Sequence, residues 1–478
     1  MSLKNAKITL DRFFQLSEND TNIRREIIAG LITFLTMAYI IFVQPAILSG
    51  AMFNMNTGLD FGAVTTATCI SAALATAIMG LYARYPIAQA PGMGENFFFV
   101  FSAIPAATAA GFANAWEVAL GVVFISGVLF LILSVSGIRK IIIDSISPSM
   151  KNGIAVGIGL FIAFIGLQNT GLIMKDAGTA VKLNTQFESP DLIVFFFGLL
   201  LTAALYARRI GGAILWGIVG AALLAIVLQF ILLNLPPSLS DSKLVSESML
   251  ITRFKIAQGI FSSPPSLSPT FLKMDIIHAL SFSMFPFIVI FLFMNVFDTI
   301  GTLIGVGEQA GLIKDDKLPR ANQALLSDAV GTTVGACLGT STVVSFIESA
   351  AGVEYGGRTG LTALTTALLF LLAPFFSPLI AMVGSYTPIT APALVIVGSM
   401  MIRNVTKVEW SDYSEAIPAF LTIIGIPLTY SISDGLALGF ISYPIIKLLS
   451  GRGKEVRWLM YVLAFILIGY FVFVRSGT

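Results

Sequence analysis

The sequence predicts an all-α polytopic membrane protein of about fourteen transmembrane helices, arranged as two inverted seven-helix repeats. Three observations carry this. Of 478 residues, 56% are hydrophobic and only 11% are charged, with a mean hydropathy of +0.89. An ordinary soluble domain is roughly a quarter charged, so this chain lacks the charge to cover a water-facing surface. Apolar runs long enough to span, about 20 residues each, recur along the chain. A polar Ser- and Pro-rich stretch, 236–273, divides them, with seven before it and about seven after. An odd number in each half inverts one half relative to the other, a recurrent transporter plan.

The elements follow in order. The first 22 residues are mixed and polar, and Arg24 and Arg25 directly precede the first apolar run. That run, Ile27 to Gly50, has no small-residue cleavage pattern and is expected to be retained as the first span. The next are 62–82, a Gly-interrupted 92–110, 115–135, 149–169, 191–207 and 211–234. The second half supplies 280–306, 322–338, a short 343–352, 360–383, 388–402, 415–431 and 433–449. The stretch 456–474 is an additional candidate, and 415–449 reads alternatively as two short half-spans. Many of the 43 Gly and 20 Pro fall inside these runs, which transmembrane helices tolerate better than soluble ones.

Basic residues set the orientation. With Arg24 and Arg25 inside, Arg84, Arg139 with Lys140, and Arg208 with Arg209 are inside too. So are Lys314, Lys317, Arg320, Arg358, Arg403, Lys407, Lys447, Arg452, Lys454 and Arg457. The 236–273 stretch falls outside.

The third span of each half differs from the rest. One reads Pro86-Ile-Ala-Gln-Ala-Pro-Gly-Met-Gly-Glu-Asn96, the other Gly339-Thr-Ser-Thr-Val-Val-Ser-Phe-Ile-Glu-Ser349. Each begins with residues that favour extended backbone. Each is expected to form a short extended piece followed by a half-helix starting near mid-membrane. Irregular backbone at that depth is tolerable only where it lines a cavity or is buried in protein. Paired broken segments at matching positions point to a substrate site.

Intramembrane carboxylates need a reason. No other ionisable group lies between Ala279 and Val306 but Asp298. Without a partner, a carboxyl at that depth favours its neutral form, which suits proton exchange as well as a plain structural hydrogen bond. Glu348 sits at the second half-helix, where free N–H groups and the helix dipole favour an acid. Glu95 and Asn96 hold the matching place in the first half. Asn96 can donate and accept together, which suits the edge of a heterocyclic base, or it caps the broken helix. Glu95 is a further polar ligand or points to water. Ser349 adjoins Glu348. A ring near each broken segment, Phe97 (of Phe97, Phe98, Phe99 and Phe101) and Phe346, offers a stacking face. Asp328 reads as structural. Glu308, Glu354, Arg358 and Asp434 read as interface charges or gate pairs, and His278 as an interface residue.

Other chemistries are excluded. The net charge of +2 gives no basic face for nucleic acid. Cys69 and Cys337 sit in apolar segments and read as small buried hydrophobes rather than a disulfide or metal site. With His278 the sole histidine, histidine-rich metal sites are excluded. The chain has no GxxxxGK[ST], HExxH or GxSxG motif. No cofactor is expected; energy must come from an ion gradient, protons before sodium, or from the substrate gradient itself.

The sequence resembles the second nucleobase:cation symporter family (the nucleobase–ascorbate transporters), in its AzgA-like purine permease branch. The resemblance rests on Ala29-Gly-Leu-Ile-Thr-Phe-Leu-Thr-Met-Ala-Tyr39, Ala90-Pro-Gly-Met-Gly-Glu-Asn96 and Phe297-Asp-Thr-Ile-Gly-Thr-Leu-Ile-Gly-Val306. It continues through Gly339 to Val353, Gly356-Gly-Arg-Thr-Gly-Leu361, Pro418-Ala-Phe-Leu-Thr-Ile423 and Thr429-Tyr-Ser-Ile-Ser-Asp-Gly435. These blocks cover the chain from about Phe13 to about Trp458.

The resemblance implies a core domain over 23–135 and 280–384 moving against a gate domain over 136–235 and 385–478. A cytoplasmic segment 1–22 and an extracytoplasmic loop 236–279 complete the plan. It implies a dimer in a bacterial-type inner membrane, importing adenine, guanine or hypoxanthine with protons. Asp298, Glu348 and Asn96 match the substrate and proton-linked positions. Thr302 falls where a uracil-transporting group has a proton-linked histidine. Glu95 departs from the branch, where an apolar residue is usual. The alternatives are an anion or uracil/xanthine carrier on the same fold, or sodium coupling.

Overall fold

The computed structural model describes residues 11–53, 55–136, 146–234, 243–312 and 318–469. Arg139, Lys140, Lys314 and Lys317 lie outside the described residues, as do 1–10, 236–242 and 470–474 of the expected segments. Among the described residues, ten helices are long and apolar enough to cross a membrane. Two shorter apolar helices, Tyr413–Thr429 and Trp458–Gly469, accompany them.

The first span starts earlier than its apolar run. Asn22 caps it by accepting from Arg25 N–H at 3.0 Å, so Arg24 and Arg25 lie in the first turn of the helix rather than before it. The span is α1 (Ile23–Met37) and α2 (Tyr39–Leu48), interrupted at Ala38. Then come α3 (Phe61–Ile78), running into a π-helical turn Met79–Ala83, and β1 (Gln89–Pro91). The third span continues as α4 (Met93–Phe98), a π-helical turn Phe99–Ala103 and α5 (Ile104–Ala109). α6 (Ala115–Ser136) and α7 (Pro148–Asn169) follow, then an exposed hairpin, β2 (Ile173–Asp176) and β3 (Ala180–Leu183). α8 (Pro190–Ala207) and α9 (Ala213–Leu233) close the first half.

The second half repeats the order with α10 (Phe285–Gln309), α11 (Ala321–Leu338), β4 (Val343–Ser345) and α12 (Ser349–Tyr355). After these come α13 (Gly360–Leu372), α14 (Ser377–Gly384), α15 (Thr387–Met401), α16 (Tyr413–Thr429), α17 (Ile432–Leu449) and α18 (Trp458–Gly469). The 415–449 region is therefore two helices, α16 and α17, packed on each other and joined through Tyr430 in the left-handed conformation (φ 55°).

The two broken spans meet at the centre. β1 pairs antiparallel with β4 in the register Gln89↔Ser345, Ala90↔Val344 and Pro91↔Val343. All six residues are buried. Antiparallel pairing of equivalent segments is what an inverted repeat requires. The outer edges of both strands are satisfied in matching ways. Thr76 Oγ1 on α3 accepts from Gln89 N–H at 2.8 Å and donates to Gln89 O at 2.9 Å. Thr332 Oγ1 on α11 accepts from Val343 N–H at 3.1 Å and donates to Val343 O at 2.9 Å. A strand of three residues buried in apolar surroundings cannot leave its edge unpaired, and one threonine per repeat prevents it.

Two packing groups surround this ladder. In one, α1, α3 and α13 pack together, α12 lies on α1, and α11 bridges α3 and α6. In the other, α7 packs on α15 and α16, and α8 and α9 pack on α15. Glycines permit the closest approaches. A Cβ on Gly360 would lie 1.8 Å from Gly80 O, where the start of α13 crosses the end of the second span. That start is capped from another helix. The buried Glu26 carboxylate on α1 accepts from the backbone N–H of Arg358 (2.9 Å), Thr359 (3.2 Å) and Thr362 (3.2 Å). It also accepts from the hydroxyls of Thr359 (2.9 Å) and Thr362 (2.6 Å). Free N–H groups at a helix start need such a partner, and an anion there meets the favourable end of the dipole.

Candidate functional site

The ladder aims α4 and α12 at a common region. Glu348 is the residue before α12 and is half-buried. Its Oε1 accepts from the Tyr39 hydroxyl at 2.8 Å, and its backbone carbonyl accepts from Thr36 Oγ1 at 3.3 Å. Both donors flank Ala38, where α1 passes into α2 with helical backbone angles (φ −60°, ψ −18°). The first span thereby holds Glu348 through Thr36 and Tyr39.

Asp298 lies in the middle of α10, yet its side chain is exposed. Gly301, Ile304, Gly305 and Glu308 continue that exposed face, and a Cβ on Gly301 would meet nothing within 4 Å. Ile347, just before Glu348, is exposed as well. A carboxyl halfway along an apolar helix is tolerable facing an opening rather than lipid. Across from this face is α7, whose Lys151 Nζ lies 4.8 Å from the centroid of the Phe297 ring.

The remaining candidates are less accessible. Asn96 is fully buried; its Oδ1 accepts from Ser341 Oγ. Ser341 is 3.4 Å from Gln44 Nε2, which donates to Thr340 Oγ1 at 2.8 Å. Asn96 thus joins α4 to the residues preceding β4. Ser349 Oγ accepts from Ala88 N–H at 3.0 Å, tying α12 to the strand end of the other repeat. Phe97 stacks on Phe101 and meets Phe53 and Phe161 edge-on or tilted, in a cluster reaching α7. Phe346 is buried beside the ladder. Thr302 is buried one turn beyond Asp298. Asp328 is buried and accepts from Ser345 Oγ at 3.2 Å and 3.3 Å, holding β4 in place.

Several buried polar atoms here have no hydrogen-bond partner among the described residues. They are Glu95 Oε2, Gln44 Oε1, Asn295 Oδ1, Thr299 Oγ1 and Thr342 Oγ1. Buried polar groups are normally satisfied, so their gathering around the two half-helices marks a region able to hold a polar molecule. Among the described residues, no cluster of three His, Cys, Asp or Glu could hold a metal ion.

The other charged candidates lie at the periphery. His278 Nδ1 contacts Asp275 at 2.5 Å on the exposed surface. Arg358 donates to the Val353 and Gly357 carbonyls at 2.5 Å and 2.9 Å. Glu308 and Glu354 are exposed, and Asp434 is buried at the start of α17. Sequence reasoning missed Tyr39, which engages Glu348, Ser341, which engages Asn96, and Gln44, which engages Thr340 and Ser341, all from positions remote in the chain. It also missed a charge network in which Lys447 reaches Glu415 (2.9 Å) and Glu455 (3.0 Å), and Arg452 reaches Asp412 (2.7 Å) and Glu455 (2.8 Å). The only advance signal for the latter was the cluster of basic residues between 447 and 457.

A family model described as "Permease family" (Xan_ur_permease) matches residues 24–438. The chain belongs to this family, the nucleobase:cation symporters. As a member it is a membrane transporter, not an enzyme. It is 43% identical over 468 residues to the guanine/hypoxanthine permease PbuG of Bacillus subtilis, covering 97% of this chain and 99% of that one. It is 38% identical over 468 residues to the adenine permease AdeP of Escherichia coli, covering 98% and 97%. Among solved structures, the transmembrane domain of the cyanobacterial bicarbonate transporter BicA superposes with a TM-score of 0.60 at 13% identity, over 87% of this chain and 97% of that one. That likeness shows a shared fold. This permease therefore places two half-helices and three acids at the junction of its repeats.

Proposed function

We propose that this permease imports a purine base together with protons by alternating access. The observation that carries the reading is the state of Glu348. One carboxylate oxygen is held by Tyr39 at 2.8 Å, and the half-buried side chain lies beside the exposed Ile347. A carboxylate oriented in this way, with lone pairs to spare, accepts well from the ring N–H or exocyclic amino groups of a purine. Backbone N–H groups at the starts of the half-helices address its ring acceptors, and Phe97 and Phe346 supply apolar walls. The relatives named as guanine, hypoxanthine and adenine permeases support this substrate class.

Asp298 carries the proton. It is exposed midway along α10 and is the only ionisable group in its apolar run, the position of a group that exchanges a proton with the opening. The division into two packing groups supports alternating access. The group containing α1, α3 and α10–α13 moves, with the substrate on it, against the group containing α7–α9 and α15–α17. Neither broken segment, 86–96 or 339–349, contains a Lys or Arg, which disfavours an anionic substrate.

The test is uptake of radiolabelled adenine, guanine and hypoxanthine into proteoliposomes under an imposed pH gradient and, separately, a sodium gradient. Proton-driven accumulation that an uncoupler cancels is the expected result. Sodium-driven accumulation would replace the coupling ion, and no purine uptake under either gradient would overturn the substrate class.

A further inference from the structure

The outer face of the group formed by α1, α3 and α13 carries a groove of ≈ 580 Å³. Ala73 and Ala77 on α3 and Ala367 on α13 line it, and their small side chains leave a channel between the two helices. Leu74, Leu368 and Leu371 also line it and are exposed. Among the described residues of the lining, Thr365 alone is polar, and its Oγ1 donates to Leu361 O at 2.9 Å within α13. The surface left to a ligand is therefore hydrocarbon. Along α13 the lining runs from Leu361 to Leu371, about 15 Å at ~1.5 Å per residue. That is half of a hydrocarbon core about 30 Å thick, the depth of one leaflet.

One end of the groove is basic. Ile27 lines both the groove and an adjoining hollow walled by Asn22, Ile23, Arg24 and Ile28. Arg24 lies three residues before Ile27, so the two share a face of α1. Arg24 is exposed, and its guanidinium has no partner among the described residues. Glu18 and Asp20 are exposed before the Asn22 cap and line neither hollow. Glu26 is buried and its carboxylate is taken up by the start of α13. Arg84 adds a second positive charge at this end, four residues beyond the Gly80 that crosses the start of α13. The basic residues place this end in the cytoplasm, and the cytoplasmic leaflet is the one rich in anionic lipid.

We propose that this groove binds an anionic phospholipid, with its phosphate on Arg24 and one acyl chain between α3 and α13. An unpaired cation above a one-leaflet hydrocarbon channel matches both parts of such a molecule. A zwitterionic lipid fills the channel equally well but brings no net charge to Arg24. The site is separate from the region around Glu348 and Asn96, and the proposal holds whatever the substrate or coupling ion.

The experiment titrates delipidated full-length protein in detergent with dioleoylphosphatidylglycerol or dioleoylphosphatidylcholine and counts bound lipid by native mass spectrometry. Wild type, Arg24→Gln, Arg24→Lys and Ala77→Phe are compared. Wild type should hold phosphatidylglycerol more tightly than phosphatidylcholine. Arg24→Gln should weaken phosphatidylglycerol roughly fivefold, the effect of one charge near the membrane surface, and leave phosphatidylcholine unchanged. Arg24→Lys should retain most of the preference. Ala77→Phe, which fills the channel, should weaken both lipids. Equal affinity for the two lipids in wild type, or an unchanged preference in Arg24→Gln, overturns the headgroup site. Unchanged binding in Ala77→Phe overturns the acyl channel. A change in the mass of the assembly in Ala77→Phe would mean that a second copy covers the groove, and would also overturn the proposal.

Discussion

The Tyr39 hydroxyl donates to Glu348 Oε1 at 2.8 Å, across 309 positions of sequence. It joins the middle of the first span to the start of the second half-helix. Glu348 is thereby presented in one orientation before any ligand arrives. A hydrogen bond to a charged group contributes about 1.5–3 kcal/mol, and about 1.4 kcal/mol is a factor of ten. Tyr39→Phe should therefore raise KM for the purine roughly tenfold, with maximal uptake rate much less affected. Uptake kinetics at matched expression check this, and an unchanged KM would remove the positioning role.

Glu348→Gln and Asp298→Asn should each abolish accumulation while the protein remains in the membrane. Both changes keep shape and remove an ionisable group. Full uptake by either variant at normal expression would eliminate its assigned role.

Glu26→Ala should destabilise the protein without touching the site. The buried carboxylate satisfies three N–H groups and two hydroxyls at the start of α13. Orphaning buried donors costs about 1–3 kcal/mol each. The thermal midpoint in detergent should fall clearly, and KM in the surviving protein should stay near wild type.

Thr76→Val and Thr332→Val should have similar costs, because each threonine completes the outer edge of one strand in the central ladder. Each change strands a backbone N–H and C=O, again about 1–3 kcal/mol per group. Thr332→Val should cost somewhat more, since Asn295 Nδ2 also donates to Thr332 Oγ1 at 2.8 Å. Thermal unfolding of the two variants side by side tests the ranking.

Below about pH 4 the charge network beyond α17 should weaken. The Ser414 hydroxyl and Arg452 hold the Asp412 carboxyl down to about 2, and Arg452 with Lys447 hold Glu455 down to about 2. Lowered folded-state values mean stability that is present above the ordinary carboxylate range of about 4 and lost as pH falls from there toward 2. Arg452→Gln should flatten that acid-dependent fall in thermal midpoint. A profile as steep as wild type would contradict it.

Much of this arrangement is legible in the amino-acid order. Apolar runs locate the long helices because lipid demands about 20 apolar residues per span. Pro86, Pro91 and Gly92 announce a segment that cannot continue as helix. Asp298 stands out because no other acid shares its run. The partners that orient these groups are not legible. Tyr39, Ser341 and Glu26 act on residues hundreds of positions away, and no local pattern marks a tyrosine or serine as a donor. The accessibility of Asp298 is equally hidden, since it depends on how two helix groups sit apart rather than on α10 itself. The β2–β3 hairpin went unseen because its strands, being exposed on both faces, lack the alternation that marks a half-buried strand.

The ladder between β1 and β4 also orders events during synthesis. Gln89 bonds to Ser345 through their side chains, 256 residues apart. When the first half has emerged and inserted, β1 has no strand to lie against, and the helix that follows it has no counterpart. The edge that will face β4 must be shielded by neighbouring helices, or held near the translocation machinery, until the tenth span is made. Neither half can assemble a transport-competent centre alone. Its completion is a late step in biogenesis, coincident with the arrival of residues 343–349, and a chain released before that point carries an unpaired strand inside the bilayer.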